Sequence, residues 1–177
     1  MKMSTKDLIL CALFAAISCV LSQISIPIGT VPITMQVMAV YLAGVILGEK
    51  RGFISQLVYV VLGSIGVPVF AGFSGGIGAV VGPTGGFIIA FPFMTLIVGY
   101  VSDKYKKRIP IIISMVVASV FCYILGSVWL ALMTKMSFLA AIKVAVLPFI
   151  LFDIIKIIIV SIVAVSIRNG IKVGGLA

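Results

Sequence analysis

Long apolar stretches alternate with short polar or glycine- and proline-rich breaks along this chain. A helix needs about 20 mostly apolar residues to cross a bilayer, and most of the apolar stretches approach that length. The breaks therefore predict six membrane-spanning helices. The predicted spans are Leu8–Ser25, Ile33–Gly48, Phe53–Val69, Phe87–Val101, Ile109–Thr134 and Ala145–Ile167.

The breaks are of two kinds. Glu49–Arg51 and Asp103–Arg108 are charged and predict exposed turns, whereas Ile26–Pro32 and Ala71–Gly86 carry no charge. Ala71–Gly86 contains seven glycines and one proline, so it cannot form a regular helix facing lipid. Irregular backbone near the membrane survives where protein or a water-filled cavity surrounds it. We interpret this loop as a lid over a cavity; an ordinary external loop is the alternative.

Composition fits a protein embedded in lipid. Hydrophobic residues make up 63% of the 177 residues, charged residues only 10%, and the mean hydropathy is +1.39. A soluble domain carries roughly 25% charged residues, so this chain cannot build a water-soluble surface. We expect residues 1–177 to form one all-helical membrane domain, with the first span retained and not cleaved as a signal peptide.

The net charge of +9 follows the predicted topology. Ten basic residues fall on the side that holds both termini, and two fall on the other side. The ten are Lys2, Lys6, Lys50, Arg51, Lys104, Lys106, Lys107, Arg108, Arg168 and Lys172, and the two are Lys135 and Lys143. Lysine and arginine accumulate on the cytoplasmic side of a membrane. We therefore expect cytoplasmic termini, an even number of spans and no nucleic-acid partner.

Several kinds of chemistry are excluded by the residues that are missing. The chain has no histidine and only four acidic residues, which rules out Ser-His or Cys-His hydrolysis and histidine-based metal sites. Its three cysteines, Cys11, Cys19 and Cys122, lie inside apolar spans and are expected to act as small buried residues. No P-loop motif is present. We expect no catalytic residue, metal or cofactor, and no enzymatic activity.

Asp153 and Lys156 are the formal charges placed well inside a predicted span. A charge at the centre of a spanning helix costs about 2.5–3.5 kcal/mol on insertion scales. Residues three apart share one helix face, about 4.5 Å apart along the axis, so these two can pair. At about 1.5 Å per residue they lie roughly 12 and 16 Å below the outer end of the span. This predicts a binding site beneath the uncharged loops; a structural ion pair and a proton relay are the alternatives.

The paired side chains would carry no net charge and would offer acceptors and donors side by side. A neutral planar group with N–H and C=O edges, such as a ureido or an amide, matches them without leaving a buried charge unpaired. A ligand carboxylate binding Lys156 directly is the alternative. Elsewhere, Ala12 and Ala16 form a small-residue helix face suited to close packing, and Gly44 with Gly48 has the same spacing. Trp129 is interpreted as an interfacial anchor.

Four segments resemble the BioY family, the biotin-binding S components of energy-coupling factor (ECF) transporters. They are VPITMQ (31–36), LAGVILGEKRG (42–52), GVPVFAGFSGGIGAVVGPTGGF (66–87) and LPFILFDIIK (147–156). The resemblance implies biotin capture from outside, with an ECF transmembrane coupling protein and two cytoplasmic ATPases as partners.

The resemblance also implies roles for particular residues. Asp153 and Lys156 match the ligand-contacting pair of the family, and Ala12 and Ala16 match its docking motif. The remaining candidate ligand contacts are Gln36, Phe70, Phe73, Gly75, Gly76 and Thr84. We expect the ureido end of biotin to meet Asp153 and Lys156, with the tail directed toward the glycine-rich loop.

Three other functions are compatible with the same residues. The first is an S component for another vitamin, and the second is a stand-alone carrier that couples transport to protons through Asp153. The third, a membrane enzyme, is disfavoured by the shortage of acids, bases and metal ligands.

Overall fold

The computed structural model describes residues 3–173, and these are almost entirely helical. Within that range, four helices are long and apolar enough to cross a membrane: α1 (Thr5–Gln23), α5 (Gly85–Lys104), α6 (Arg108–Thr134) and the 147–164 part of α8 (Leu147–Val173). Lys2 lies outside the described residues, as do the side chains of Arg168 and Lys172.

Shorter elements connect the long helices. They are β1 (Ser25–Ile26), β2 (Ile33–Thr34), α2 (Gln36–Leu47), α3 (Glu49–Ser64), a 3-10 turn (Ala71–Phe73), α4 (Ile77–Val81) and α7 (Phe138–Ala145). β1 and β2 pair antiparallel and enclose most of the loop predicted at 26–32. The second predicted span is therefore too long at its start, because residues 33–34 make strand hydrogen bonds and the helix begins at Gln36.

The turn between α2 and α3 lies one residue before the predicted position. Glu49–Arg51 was predicted as a charged turn but forms the first helical turn of α3, and the chain reverses at Gly48 with φ of 80°. The Asp103 carboxylate, near the end of α5, accepts a hydrogen bond from the Glu49 backbone N–H at 2.9 Å. An acidic group stabilises exposed N–H groups at a helix start. The predicted third span, Phe53–Val69, begins and ends later than α3, which starts at Glu49 and stops at Ser64.

Two predicted irregular segments contain helix. Ala71–Gly86 holds the 3-10 turn and α4, and α5 already begins at Gly85. The weakly polar link after Thr134 contains α7, which Ser137 caps by accepting a hydrogen bond from the Ala140 N–H at 3.3 Å. Glycine frequency alone overestimated the irregular backbone, because short helices tolerate glycine at a modest cost.

Helix α5 packs against α2, α3 and α6 and forms the centre of the fold. Small residues allow the close approach: a Cβ added at Gly44 of α2 would lie 2.9 Å from the Cβ of Val98 in α5. The Gly44 face is thus used for packing within the molecule. Ala12 and Ala16, in contrast, are exposed on the outer face of α1, among other exposed apolar side chains such as Leu13 and Val20.

Candidate ligand-binding site

A cavity of about 260 Å³ lies between the loops and helices α2, α5, α6 and α8. Its lining is mainly apolar with a few polar groups, the usual composition of a small-molecule site. The large apolar side chains that line it are Phe70, Phe87, Ile88, Phe91, Met94 and Phe149. The polar ones fall into two groups, one on α6 and α8 and one on the loops and the start of α2.

The first polar group contains Asp153 and Lys156. Lys156 Nζ donates a hydrogen bond to Asp153 Oδ1 at 2.7 Å, and each residue is only 4% exposed. Both side chains line the cavity. The pair lies on one face of α8 because three residues span less than one helical turn. The predicted pairing and inward direction are therefore present, while ligand contact by the pair stays a prediction.

Tyr123 completes this group and is not among the residues predicted from the sequence. Its hydroxyl donates a hydrogen bond to Asp153 Oδ2 at 2.5 Å, so each carboxylate oxygen has its own donor. Tyr123 lines the cavity together with Ser119 and Cys122 of α6. The spacing 119, 122 and 123 puts these three on one helix face. Polar side chains at that spacing within an apolar span were the signal that could have identified them.

The second polar group lies near the start of α2. Gln36 is 5% exposed; its side-chain amide donates a hydrogen bond to the Tyr59 hydroxyl, and its Oε1 accepts one from Thr34 Oγ1 at 3.3 Å. Gln36 and Thr34 both line the cavity, as do Ser74 and Thr84 of the glycine-rich loop. The structure thus brings two sequence predictions, Gln36 and Thr84, to the same cavity as Asp153.

The structure brings some of the residues predicted in and beside the glycine-rich loop to the cavity, but not others. Phe70 is 2% exposed and lines the cavity, but Phe73 is 72% exposed and points away from it. Gly75 packs against backbone, with a Cβ there 2.5 Å from the Val67 carbonyl oxygen, and Gly76 faces open space with φ of 91°. Phe73, Gly75 and Gly76 are therefore not brought to the cavity. The sequence does not predict which side chains of this segment face the cavity, because the 3-10 turn reverses the chain between Phe70 and Phe73.

Two further residues have contacts that bear on the site. Trp129 Nε1 donates a hydrogen bond to the Gly82 carbonyl oxygen at 2.9 Å, so this indole holds the loop that leads into α5. Cys122 is buried, as predicted for a small apolar residue, but it also lines the cavity. No cluster of His, Cys, Asp or Glu suited to a metal ion occurs among residues 3–173.

Comparison with known proteins decides the family. The family model described as the BioY family matches residues 1–173. The chain belongs to the BioY family. In this BioY chain the matched region includes both polar groups of the cavity and the exposed face of α1.

Curated BioY relatives are similar over most of their length. A protein of Pyrococcus horikoshii named probable biotin transporter BioY is 47% identical over 154 residues, which cover 87% of this chain and 91% of that protein. Biotin transporter BioY2 of Lactococcus lactis is 40% identical over 167 residues, covering 94% and 92%. With four helices of membrane-spanning length among residues 3–173, this BioY chain is a multi-pass membrane protein of a transporter family.

A solved structure has the same fold. It is described as the S component for biotin from an ECF-type ABC transporter. Its TM-score with this BioY chain is 0.88 at 30% identity, and the match covers 95% of each chain. The fold of residues 3–173 is thus the S-component fold.

Proposed function

We propose that this protein captures biotin from the extracellular side and serves as the S component of an ECF-type vitamin transporter. The observation that carries the proposal is the Asp153–Lys156 pair, buried and without net charge, facing a cavity of about 260 Å³. The chain has this site within a family whose similar members are named biotin transporters. A site and a family that agree support the assignment more strongly than the fold alone.

The ureido ring of biotin suits the first polar group chemically. Its N–H groups find acceptors on the Asp153 carboxylate, and its C=O accepts from the Lys156 ammonium, which has further N–H donors besides the one used by Asp153. Such an arrangement leaves no buried charge unpaired, whereas an unpaired buried charge is strongly unfavourable. The aromatic and Met94 side chains of the wall then cover the apolar middle of the vitamin.

The carboxylate tail of biotin is assigned to the second polar group. Ser74 and Thr84 bring hydroxyl groups to the same cavity that Thr34 and Gln36 line, so the tail meets hydrogen-bonding groups without needing a positive charge. Gly75 and Gly76 do not line the cavity, so they are not assigned as contacts of the tail. The tail therefore points toward the loops, and the ring lies against α6 and α8.

The membrane topology is part of the same proposal. α2 has 12 residues and a length of about 18 Å, shorter than the roughly 30 Å hydrocarbon core. We assign α2 and α3 as two further crossings, with the β1–β2 pair continuing α2 toward the outer surface. Six crossings, with both termini cytoplasmic, put the basic residues at the start of α3 and around the α5–α6 turn on the cytoplasmic side.

The partners are assigned from the outer face of α1. Ala12 and Ala16 are exposed there, and Ala16 lines a shallow apolar groove together with Leu13, Ile17 and Val20. Small residues let a second helix approach closely within lipid. We assign this face to an ECF transmembrane coupling protein, which would link the chain to two cytoplasmic ATPases.

Titration of the detergent-purified chain tests the ligand. Biotin is expected to bind tightly, whereas thiamin and riboflavin at the same concentrations are expected to give no heat. Tight binding of another vitamin, with none of biotin, would overturn the assignment. Uptake into proteoliposomes tests the mechanism: pH-driven uptake by this chain alone would instead support a proton-coupled carrier.

A further inference from the structure

Gln23, the last residue of α1, holds the backbone of the glycine-rich loop with both ends of its side-chain amide. Its Nε2 donates to the Phe70 carbonyl oxygen at 3.1 Å, and its Oε1 accepts from the Phe73 N–H at 2.8 Å. The neighbouring Ser22 hydroxyl donates to the Val69 carbonyl oxygen at 2.5 Å. The end of α1 therefore fixes residues 69 and 70, which lead into the loop, and residue 73 within it.

The fastened segment carries a wall of the cavity. Phe70 is 2% exposed, lines the cavity and makes an edge-to-face contact with Tyr59, with ring centroids 5.5 Å apart. Its ring occupies space left by Gly63, where an added Cβ would collide with it. The hydrogen bond from Gln23 is thus made to the backbone carbonyl of the residue whose ring forms this wall.

The backbone conformation of this loop depends on contacts with neighbouring residues. Phe73 has φ of 56°, a left-handed conformation that is uncommon for residues other than glycine. Glycines at positions 72, 75 and 76 flank it and give the unrestrained backbone many alternatives. A backbone conformation of this kind persists when surrounding contacts determine it. The Phe73 N–H and the Phe70 C=O, both bonded to Gln23, supply such contacts.

We propose that Gln23 is a positioning residue for the cavity, which keeps Phe70 in the wall by fixing the backbone of residues 70–73 to the end of α1. The inference goes beyond biotin capture, because it concerns how the cavity is closed and does not depend on which ligand enters. It predicts that loss of the Gln23 amide opens the cavity without unfolding the helices.

Cys122 provides a reporter, because it is 4% exposed and lines the cavity. In a Cys11→Ala, Cys19→Ala background it is the only cysteine. The rate at which N-ethylmaleimide alkylates Cys122 in the detergent-purified chain then measures opening of the cavity. Gln23→Met keeps the chain length and removes both hydrogen bonds to residues 70 and 73, together with those from Nε2 to the Cys19 carbonyl oxygen and the Ser22 hydroxyl within α1. We expect it to raise the alkylation rate about tenfold, as the loss of the two bonds to residues 70 and 73 predicts.

Gln56→Met is the matched control. Gln56 of α3 is also bonded to α1, through hydrogen bonds with the Ser18 hydroxyl at 2.9 and 3.3 Å, and neither of these bonds reaches the loop. It is expected to leave Cys122 alkylation near the parental rate. A second reporter, Cys11 alone in a Cys19→Ala, Cys122→Ala background, measures general loosening, because Cys11 is buried away from the cavity.

The inference is overturned if Gln23→Met alters Cys122 alkylation no more than Gln56→Met, or if Cys11 reactivity rises by the same factor. If Gln23→Met does not fold, hydrogen exchange of the unsubstituted chain decides. The Phe73 amide is then expected to exchange at least tenfold more slowly than an unprotected amide, and exchange at the unprotected rate contradicts the inference. These measurements need no biotin, so their outcome is separate from that of the biotin titration.

Discussion

Tyr123 of α6 and Asp153 of α8 are joined by a hydrogen bond of 2.5 Å from the tyrosine hydroxyl to Oδ2 of the carboxylate. Lys156 Nζ donates a hydrogen bond to the other carboxylate oxygen, Oδ1, at 2.7 Å. The carboxylate is thereby held between a neutral donor on one helix and a charged donor on its own helix. Its remaining lone pairs are available to the cavity, and its orientation is fixed before any ligand enters.

Tyr123→Phe is predicted to weaken biotin binding by about 10- to 100-fold. A hydrogen bond to a charged group contributes about 1.5–3 kcal/mol, and phenylalanine keeps the ring while removing the donor. Isothermal titration of the purified variant measures the effect. Tyr100→Phe is the control, because Tyr100 is 55% exposed and does not line the cavity. Parental affinity in Tyr123→Phe would show that the carboxylate keeps its orientation without this donor.

Lys156→Ala and Asp153→Asn are each predicted to abolish tight biotin binding, while the protein still inserts into the membrane. Each substitution removes a hydrogen-bond partner assigned to the ureido ring and leaves the other member of the buried pair without its counter-charge. Membrane-fraction yield and elution profile report insertion, and titration reports binding. Lys143→Ala, at an exposed position on α7, is the control and should bind normally. If either pair variant kept parental affinity, the site assignment would be wrong.

The orientation of biotin is predicted to leave its tail near the loops. A biotin derivative with the carboxylate converted to an amide should then bind within about tenfold of biotin, because hydroxyl groups and not a cation meet the tail. Competition against labelled biotin measures the ratio. Complete loss of binding by the amide would instead favour the arrangement in which the ligand carboxylate meets Lys156.

Gly63→Ala is predicted to displace the Phe70 ring and to lower both stability and biotin affinity. The added methyl group would overlap the ring, and overpacking of a filled interior typically costs 1–3 kcal/mol. Thermal unfolding and titration measure the two effects. Gly78→Ala is the matched control, because a Cβ there meets no atom within 4 Å and α4 accepts alanine. Equal behaviour of the two variants would contradict the packing argument.

Ala12→Leu together with Ala16→Leu is predicted to reduce copurification with the ECF coupling protein while biotin binding stays unchanged. Both residues are exposed on α1, so larger side chains would hold a partner helix away. Val117→Leu on the exposed face of α6 is the control. Undiminished copurification of the double variant would move the docking face away from α1.

The sequence predicted what depends on local spacing and missed what depends on contacts between distant segments. Asp153 and Lys156 could be paired from the sequence because both lie on one turn of α8. Tyr123 could not be joined to them, since its partner is 30 residues away on another helix. Gln23 was likewise not identified, because its two partners lie in a loop whose path was not predictable.

The helix positions show the same limit. Long apolar stretches predicted α1, α5, α6 and α8 well, since length and hydropathy define such helices. The α2–α3 turn was misplaced because the charges at 49–51 suggested a turn, whereas Asp103 stabilises them as the start of a helix. Phe73 was expected at the cavity from its place in the motif, but the 3-10 turn directs its side chain outward.

The coupling of Asp153 to Lys156 also governs how the site responds to membrane voltage. A single charge moved across the field gains or loses about 2.3 kcal/mol for every 100 mV. Here opposite charges lie 2.7 Å apart, so the work done on one largely cancels the work done on the other and the pair responds to the field as a small dipole. The pair therefore adds no net charge at this depth, and under the proposed transport function a charge that crosses the field through this site is the ligand's own.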